Sequence, residues 1–225
     1  MEYPTFITGG THRMSPVKEN SPEGVTIHEF GHQYFYGLLA SNEFEEPWLD
    51  EGFNEYMEDR VVGAVYGSDN PILTVFGWRF PIGIPIRRPL DVNRRYFKVA
   101  GEDVLAAPSW KFRSAASYGG QVYSKTALAL ATLERLIGTP AMNRALRLYA
   151  DRWRFRHPKT ADFIAAVNEV TGQNWRWFFD RTFFASGAVD YAVESATSER
   201  ATPPKGLFEQ EGRLRRIHAT VLVDK

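Results

Sequence analysis

Apolar side chains recur at helical spacing in two adjacent stretches near the start of the chain. Val25, Ile27, Phe30, Tyr34, Phe35 and Leu38 mark the first and predict a helix over 22–38. Ser21 would cap it, Pro22 suits its first helical position, and Glu23 gives an acidic first turn. So many apolar positions suit a central, buried helix whose polar groups reach a cleft. After an acidic turn over 40–46, Phe53, Tyr56, Met57, Val61 and Val65 predict a second helix over 47–66. The period is then lost. Residues 67–108 are rich in Pro and Gly, with enough aromatic and branched residues over 77–86 for a short strand, and the length of the stretch predicts short helices or an excursion lining a cleft. Helical periodicity returns over 126–137, stopped by Gly138. It continues after Thr139-Pro140 to about 152, over 161–170 between Thr160 and Gly172, and over 175–184 after Asn174. From 188 the pattern becomes alternation, at Val189, Tyr191 and Val193 and again from Ile217 to Val223, with a Pro203-Pro204 turn between; period two predicts strands. At the other end, apolar and aromatic residues before Gly9-Gly10 read as an edge strand and turn. The expected class is mainly α (α+β), with one domain over 1–187, helical from about 120, and a short β-rich extension over 188–225.

Composition narrows the function classes. With 44% hydrophobic and 14% aromatic residues in 225, the chain is globular. Its 27 basic and 27 acidic residues cancel, so neither nucleic acid nor an anionic membrane surface is an expected partner. The absence of cysteine excludes disulfides and a Cys-ligated metal. The most apolar run, 71–85, is broken by Arg79 and prolines, so no membrane segment is expected, and a cytoplasmic or an exported parent fits equally.

The chemistry concentrates in His28-Glu29-Phe30-Gly31-His32 and in Trp48-Leu49-Asp50-Glu51-Gly52-Phe53. Residues four apart share a helix face, so His28 and His32 can close on one metal ion with Glu29 beside them. Imidazole nitrogens and a carboxylate suit Zn²⁺, and a catalytic zinc takes three protein ligands, leaving a fourth position for water. Glu51 supplies the third, with eighteen residues between it and His32 for the chain to turn and come back. Glu55, one turn further along the same face, can accept the other ring N–H of a ligand histidine and fix its tautomer. The bland alternative is a pair of satisfied core histidines.

This arrangement resembles the M1 family of zinc metallopeptidases, the gluzincin aminopeptidases that include aminopeptidase N and leukotriene A4 hydrolase; His32-Gln33-Tyr34-Phe35 is similar to the family's His-Gln-Trp-Phe. The resemblance implies a thermolysin-like catalytic domain with one Zn²⁺ per chain and peptide substrates bearing a free N-terminus. Met1-Glu2-Tyr3 resembles the end of the family's Gly-x-Met-Glu-Asn segment, although the leading glycine is missing and Tyr3 replaces Asn. By that correspondence Glu2 holds the substrate α-amine; otherwise it is a surface carboxylate. Gly119-Gly120-Gln121-Val122-Tyr123-Ser124-Lys125 resembles the segment whose tyrosine, here Tyr123, donates its phenolic hydrogen to the oxyanion, with Tyr118 as a nearby competitor. The stretch from Phe155 through Trp177-Phe178-Phe179-Asp180 resembles the helical domain that follows. His157 then belongs to a loop or an N-cap, and the aromatic cluster Trp175, Trp177, Phe178, Phe179, Phe183 and Phe184 belongs to the core, with any exposed part of it facing a further domain. Because the family carries a β-rich domain before these motifs, the chain is expected to be an excised catalytic domain that contacts flanking domains in a longer enzyme. The implied function is removal of N-terminal residues by a zinc-activated water, with Glu29 as general base. Three other readings stay open: a thermolysin-like endopeptidase, an epoxide hydrolase, and a zinc-binding fragment without turnover. The basic pairs Arg87-Arg88 and Arg94-Arg95 are expected to be solvated surface, and His12 and His218 receive no role.

Overall fold

The computed structural model describes residues 1–10, 21–66, 72–75, 78–81, 95–187, 208–210 and 213–215. The chain is mainly helical and divides into two units, Met1–Ala188 and Val189–Lys225.

The first unit opens with a two-stranded antiparallel hairpin, β1 (Glu2–Tyr3) and β2 (Phe6–Ile7), in register Glu2↔Ile7 and Tyr3↔Phe6. Helix α1 (Ser21–Phe35) follows, then a single 3₁₀ turn at Pro47–Leu49 and helix α2 (Glu51–Tyr66). The sequence suggested one helix from 47. Instead the backbone breaks at Asp50 (φ −100°, ψ −78°), so Glu51 becomes the first residue of α2 and its side chain is set by a helix start. A hairpin of β3 (Ile72–Val75) and β4 (Trp78–Pro81) lies in the stretch whose period was lost; the remainder of 82–94 lies outside the described residues. Next come α3 (Ala115–Tyr118), a π-helical turn at Gly119–Lys125, α4 (Thr126–Ile137), α5 (Thr139–Trp153), α6 (Thr160–Thr171) and α7 (Arg176–Thr182). Gly138 (φ 85°) and Gly172 (φ 67°) stop α4 and α6 in backbone conformations that favour glycine. The N-cap of α6 is Lys159, whose N–H donates to the Asp162 carboxylate at 2.7 Å. Thr160, expected as the cap, is buried, and its hydroxyl accepts from Trp48 Nε1 at 2.9 Å.

An aromatic core holds this unit together. Phe53 of α2 stacks on Phe35 of α1 at 5.2 Å and meets Phe163 of α6 edge-on at 4.8 Å, while Trp48 packs on Phe53 and Phe183. Burying rings of this size supplies a large share of a small domain's stability, and the tilted and edge-on pairs add to it. The expectation of a central, buried α1 holds on one side of the helix only. Phe30 is 69% and Tyr34 45% exposed, because α2 covers the side carrying His32 and Phe35, whereas Phe30 and Tyr34 lie on a face left open among the described residues.

In the second unit, β5 (Phe208–Gln210) pairs antiparallel with β6 (Arg213–Arg215). The strands expected around 189–193 and 217–223, the Pro203-Pro204 turn, His12, Arg87, Arg88, Arg94 and His218 lie outside the described residues. No helix among the described residues is long and apolar enough to cross a membrane.

Candidate metal centre

Helices α1 and α2 approach closely because of a glycine in the first motif. A Cβ at Gly31 would collide with the buried side chain of Asn54, so only glycine at this point of α1 lets α2 lie against it. The contact brings Glu51, at the start of α2, opposite the His28/His32 face. Glu51 Oε2 lies 3.1 Å from His28 Nε2 and 3.3 Å from His32 Nε2, and one donor atom from each of the three residues falls within 4.8 Å of the others. Two imidazole nitrogens and one carboxylate oxygen, all partly or fully withdrawn from water, form a donor set that suits zinc.

The opposite ring nitrogens are held as well. His32 Nδ1 meets Asp50 Oδ1 at 2.6 Å, and His28 Nδ1 meets Glu58 Oε2 at 3.2 Å. Glu55, expected in this position, stands at 3.9 Å, beyond hydrogen-bond reach. Residues four and seven beyond Glu51 share its stripe of α2, and it is the second of them that reaches the nitrogen. Neither Asp50 nor Glu58 was singled out in the sequence, although the Asp directly before Glu51 and the carboxylate two turns after it are visible there.

These contacts govern the protonation of the centre. Burial alone would lower the pKa of His28, but its bonds to Glu51 and Glu58 outweigh that and push it up to about 9. For His32 burial again opposes, and Asp50 with Glu51 pushes it up to about 10. Burial would raise Glu51, yet both imidazoles and the Tyr123 hydroxyl pull it down to about 2. Burial raises Asp50 to about 6 against the pull of His32.

Tyr123 comes from the π-helical turn. The widened turn joins α3 to α4, and a Cβ at Gly52 would collide with Thr126, so the first turn of α2 sits directly on the start of α4. Tyr123 thereby stacks over His28 at 6.0 Å, near enough to Glu51 for the two groups to shift each other's protonation. Burial and the Glu51 charge raise its pKa, which keeps the phenol protonated. Tyr118 lies edge-on to Tyr123 at 6.1 Å, and burial, then the Glu51 charge, raises its pKa to about 12.

The hairpin closes the other side. Glu2, Glu29 and His32 each bring a donor atom within 4.8 Å of the others, and the α-amine of Met1 lies 2.6 Å from Glu29 Oε2. All seven residues expected at the site are therefore in one neighbourhood. His157, expected in a loop or an N-cap, sits in a loop with Nδ1 3.0 Å from the Ala40 carbonyl.

Comparison with known proteins gives a consistent relationship. The family profile described as the peptidase family M1 domain matches residues 4–182. Leucine aminopeptidase 2 of Sclerotinia sclerotiorum is 25% identical over 233 residues, which cover 100% of this chain and 33% of the relative. Aminopeptidase N of Lactococcus lactis subsp. lactis is 26% identical over 199 residues, 84% of this chain and 22% of the relative. The chain thus spans a third or less of the length of these curated relatives. Among solved structures, an M1 zinc metallopeptidase from Deinococcus radiodurans superposes with a TM-score of 0.56 at 19% identity, over 84% of this chain and 40% of that one, a likeness of fold.

Proposed function

Since the chain belongs to peptidase family M1, we propose that it forms the catalytic part of a zinc aminopeptidase that removes N-terminal residues from peptides. The observation that carries this reading is the convergence of His28 Nε2, His32 Nε2 and Glu51 Oε2 on one point. Those three residues would hold a single Zn²⁺, which when bound supplies Lewis acidity to a carbonyl oxygen and to water.

The remaining work falls to the chain's own side chains. Glu29, with its carboxylate among the donor atoms around His32, takes the proton of the attacking water and passes it to the leaving amine. Tyr123, kept protonated, donates its O–H to the carbonyl oxygen as negative charge develops there. Asp50 and Glu58 accept the Nδ1–H of His32 and His28, leaving each Nε2 lone pair free to point inward. Glu2 accepts the substrate α-amine and thereby fixes which peptide bond reaches the centre. The relatives named above are aminopeptidases, which supports a reading in which the substrate amine is recognised.

The test is hydrolysis of a fluorogenic leucyl amide and of its N-acetylated partner, with zinc and with chelator. The expected result is chelator-sensitive cleavage of the free-amine substrate alone. Equal cleavage of both would replace the aminopeptidase with an endopeptidase. Cleavage of neither by zinc-loaded protein would leave a binding fragment.

A further inference from the structure

The hairpin that carries Glu2 pairs only two residues on each strand, and a lone hairpin of that size is marginal in water. It is closed on itself by Thr8 N–H donating to the Met1 carbonyl at 2.9 Å and by Tyr3 stacking on Phe6 at 5.6 Å. Neither contact fixes where it lies along α1. Two contacts to α1 do: the Met1 α-amine lies on Glu29 Oε2 at 2.6 Å, and one turn further along the carboxamide of Gln33 holds the strand itself, Gln33 Nε2 donating to the Tyr3 carbonyl at 2.8 Å. Glu29 and Gln33 are four apart and so share one stripe of α1, with the hairpin running along it.

We propose that Gln33 is a positioning residue for amine selectivity: by clamping the Tyr3 carbonyl one turn beyond Glu29, it sets the distance of the neighbouring Glu2 carboxylate from the centre. A strand advances about 3.3 Å per residue, and a slip by one residue turns Glu2 to the opposite face. An anchor that selects one peptide bond by distance tolerates no such slip. Because the acceptor is a backbone carbonyl, the clamp does not depend on which side chain stands at position 3. The inference rests on the aminopeptidase reading, with Glu2 as the amine anchor.

The test uses the zinc-loaded 225-residue chain and Gln33→Met, which keeps the length of the side chain and removes the donor. Gln33 is only half-buried, so zinc content and Tm should match the wild type. A hydrogen bond of this kind is worth about 1 kcal/mol, or roughly 5-fold. KM for the free-amine leucyl amide should therefore rise about 5-fold at nearly constant kcat, and the preference over the N-acetyl amide should fall by a similar factor. Calorimetric binding of leucinamide, which needs no turnover, should weaken in parallel. Gln33→Asn, with a shorter amide donor, should recover part of the loss. If the wild type shows no preference for a free amine in either measurement, the aminopeptidase reading fails and this inference fails with it. If the wild type discriminates and Gln33→Met discriminates equally, the clamp alone is overturned. A loss of zinc and of kcat together would also overturn it, since that is the signature of a merely structural residue.

Discussion

Helix α2 buries two faces of opposite character. One carries Phe53 and Tyr56 into the aromatic core; the other carries Glu51, Glu55 and Glu58 towards His28 and His32. The apolar face stabilises whatever the pH or metal supply, because burying rings asks nothing of protonation. The polar face is conditional. Carboxylates withdrawn from water need a cation, and among the described residues the imidazoles of His28 and His32 supply one when protonated. Folding and chemistry are thus separated across a single helix, and the two faces should respond to different perturbations.

The sharpest break between them is Glu29→Gln. Removing the base should lower kcat by about 10³-fold or more, in keeping with the upper range for general acid-base catalysis, while zinc content and Tm stay near wild type. Loss of zinc together with activity would mean that Glu29 belongs to the metal's support. The reverse experiment is Phe53→Ala, which should cost about 3–5 kcal/mol in denaturant unfolding through the cavity left in the core. A cost under about 1 kcal/mol would show that the core is not organised around this ring. Tyr123→Phe should lower kcat by about 10²-fold, close to 3 kcal/mol of transition-state stabilisation, with KM little changed. If Tyr118→Phe gives the larger loss, the donor is the neighbouring ring.

How much of this was readable beforehand divides along the same line. His28, His32 and Glu51 follow from spacing alone, since i,i+4 on a helix and a carboxylate after a return of suitable length are sequence facts. Glu58 could not be preferred over Glu55 without knowing how α2 is rotated against α1, a matter fixed by the contact of Gly31 with Asn54. The clamp from Gln33 to the Tyr3 carbonyl has no sequence signature, because its acceptor is backbone thirty positions away. The π-helical turn was equally invisible, since the sequence predicts a helix only from 126 and residues 119–125 read as the segment leading into it. The apolar count of α1 misled for a different reason: it reports which side chains suit burial, not which face receives a neighbour, and Phe30 stayed exposed.

The pH response gives a smaller separation. The raised folded-state values of His28 and His32 mean that their contribution is fully present below about 6.5 and is lost as pH rises through about 9 and 10. Asp50, raised to about 6, loses stability in the same direction. Glu51, lowered from the ordinary 4.5 to about 2, contributes above 4.5 and loses that contribution as pH falls through about 2. Metal-free protein should therefore lose Tm between pH 6.5 and 10, and zinc should flatten that slope. A flat profile without zinc would contradict the charge arrangement.

The central claim, one zinc on His28, His32 and Glu51, is tested most directly by calorimetric zinc titration at pH 7 in two buffers of different ionisation enthalpy, on the wild type and on Glu51→Gln. Because both imidazoles carry protons at that pH in the metal-free chain, the account predicts one zinc per chain with proton release on binding, and affinity weakened at least ~10²-fold in Glu51→Gln. Zinc taken up without proton release, or with equal affinity by the variant, would place the metal elsewhere and contradict the account.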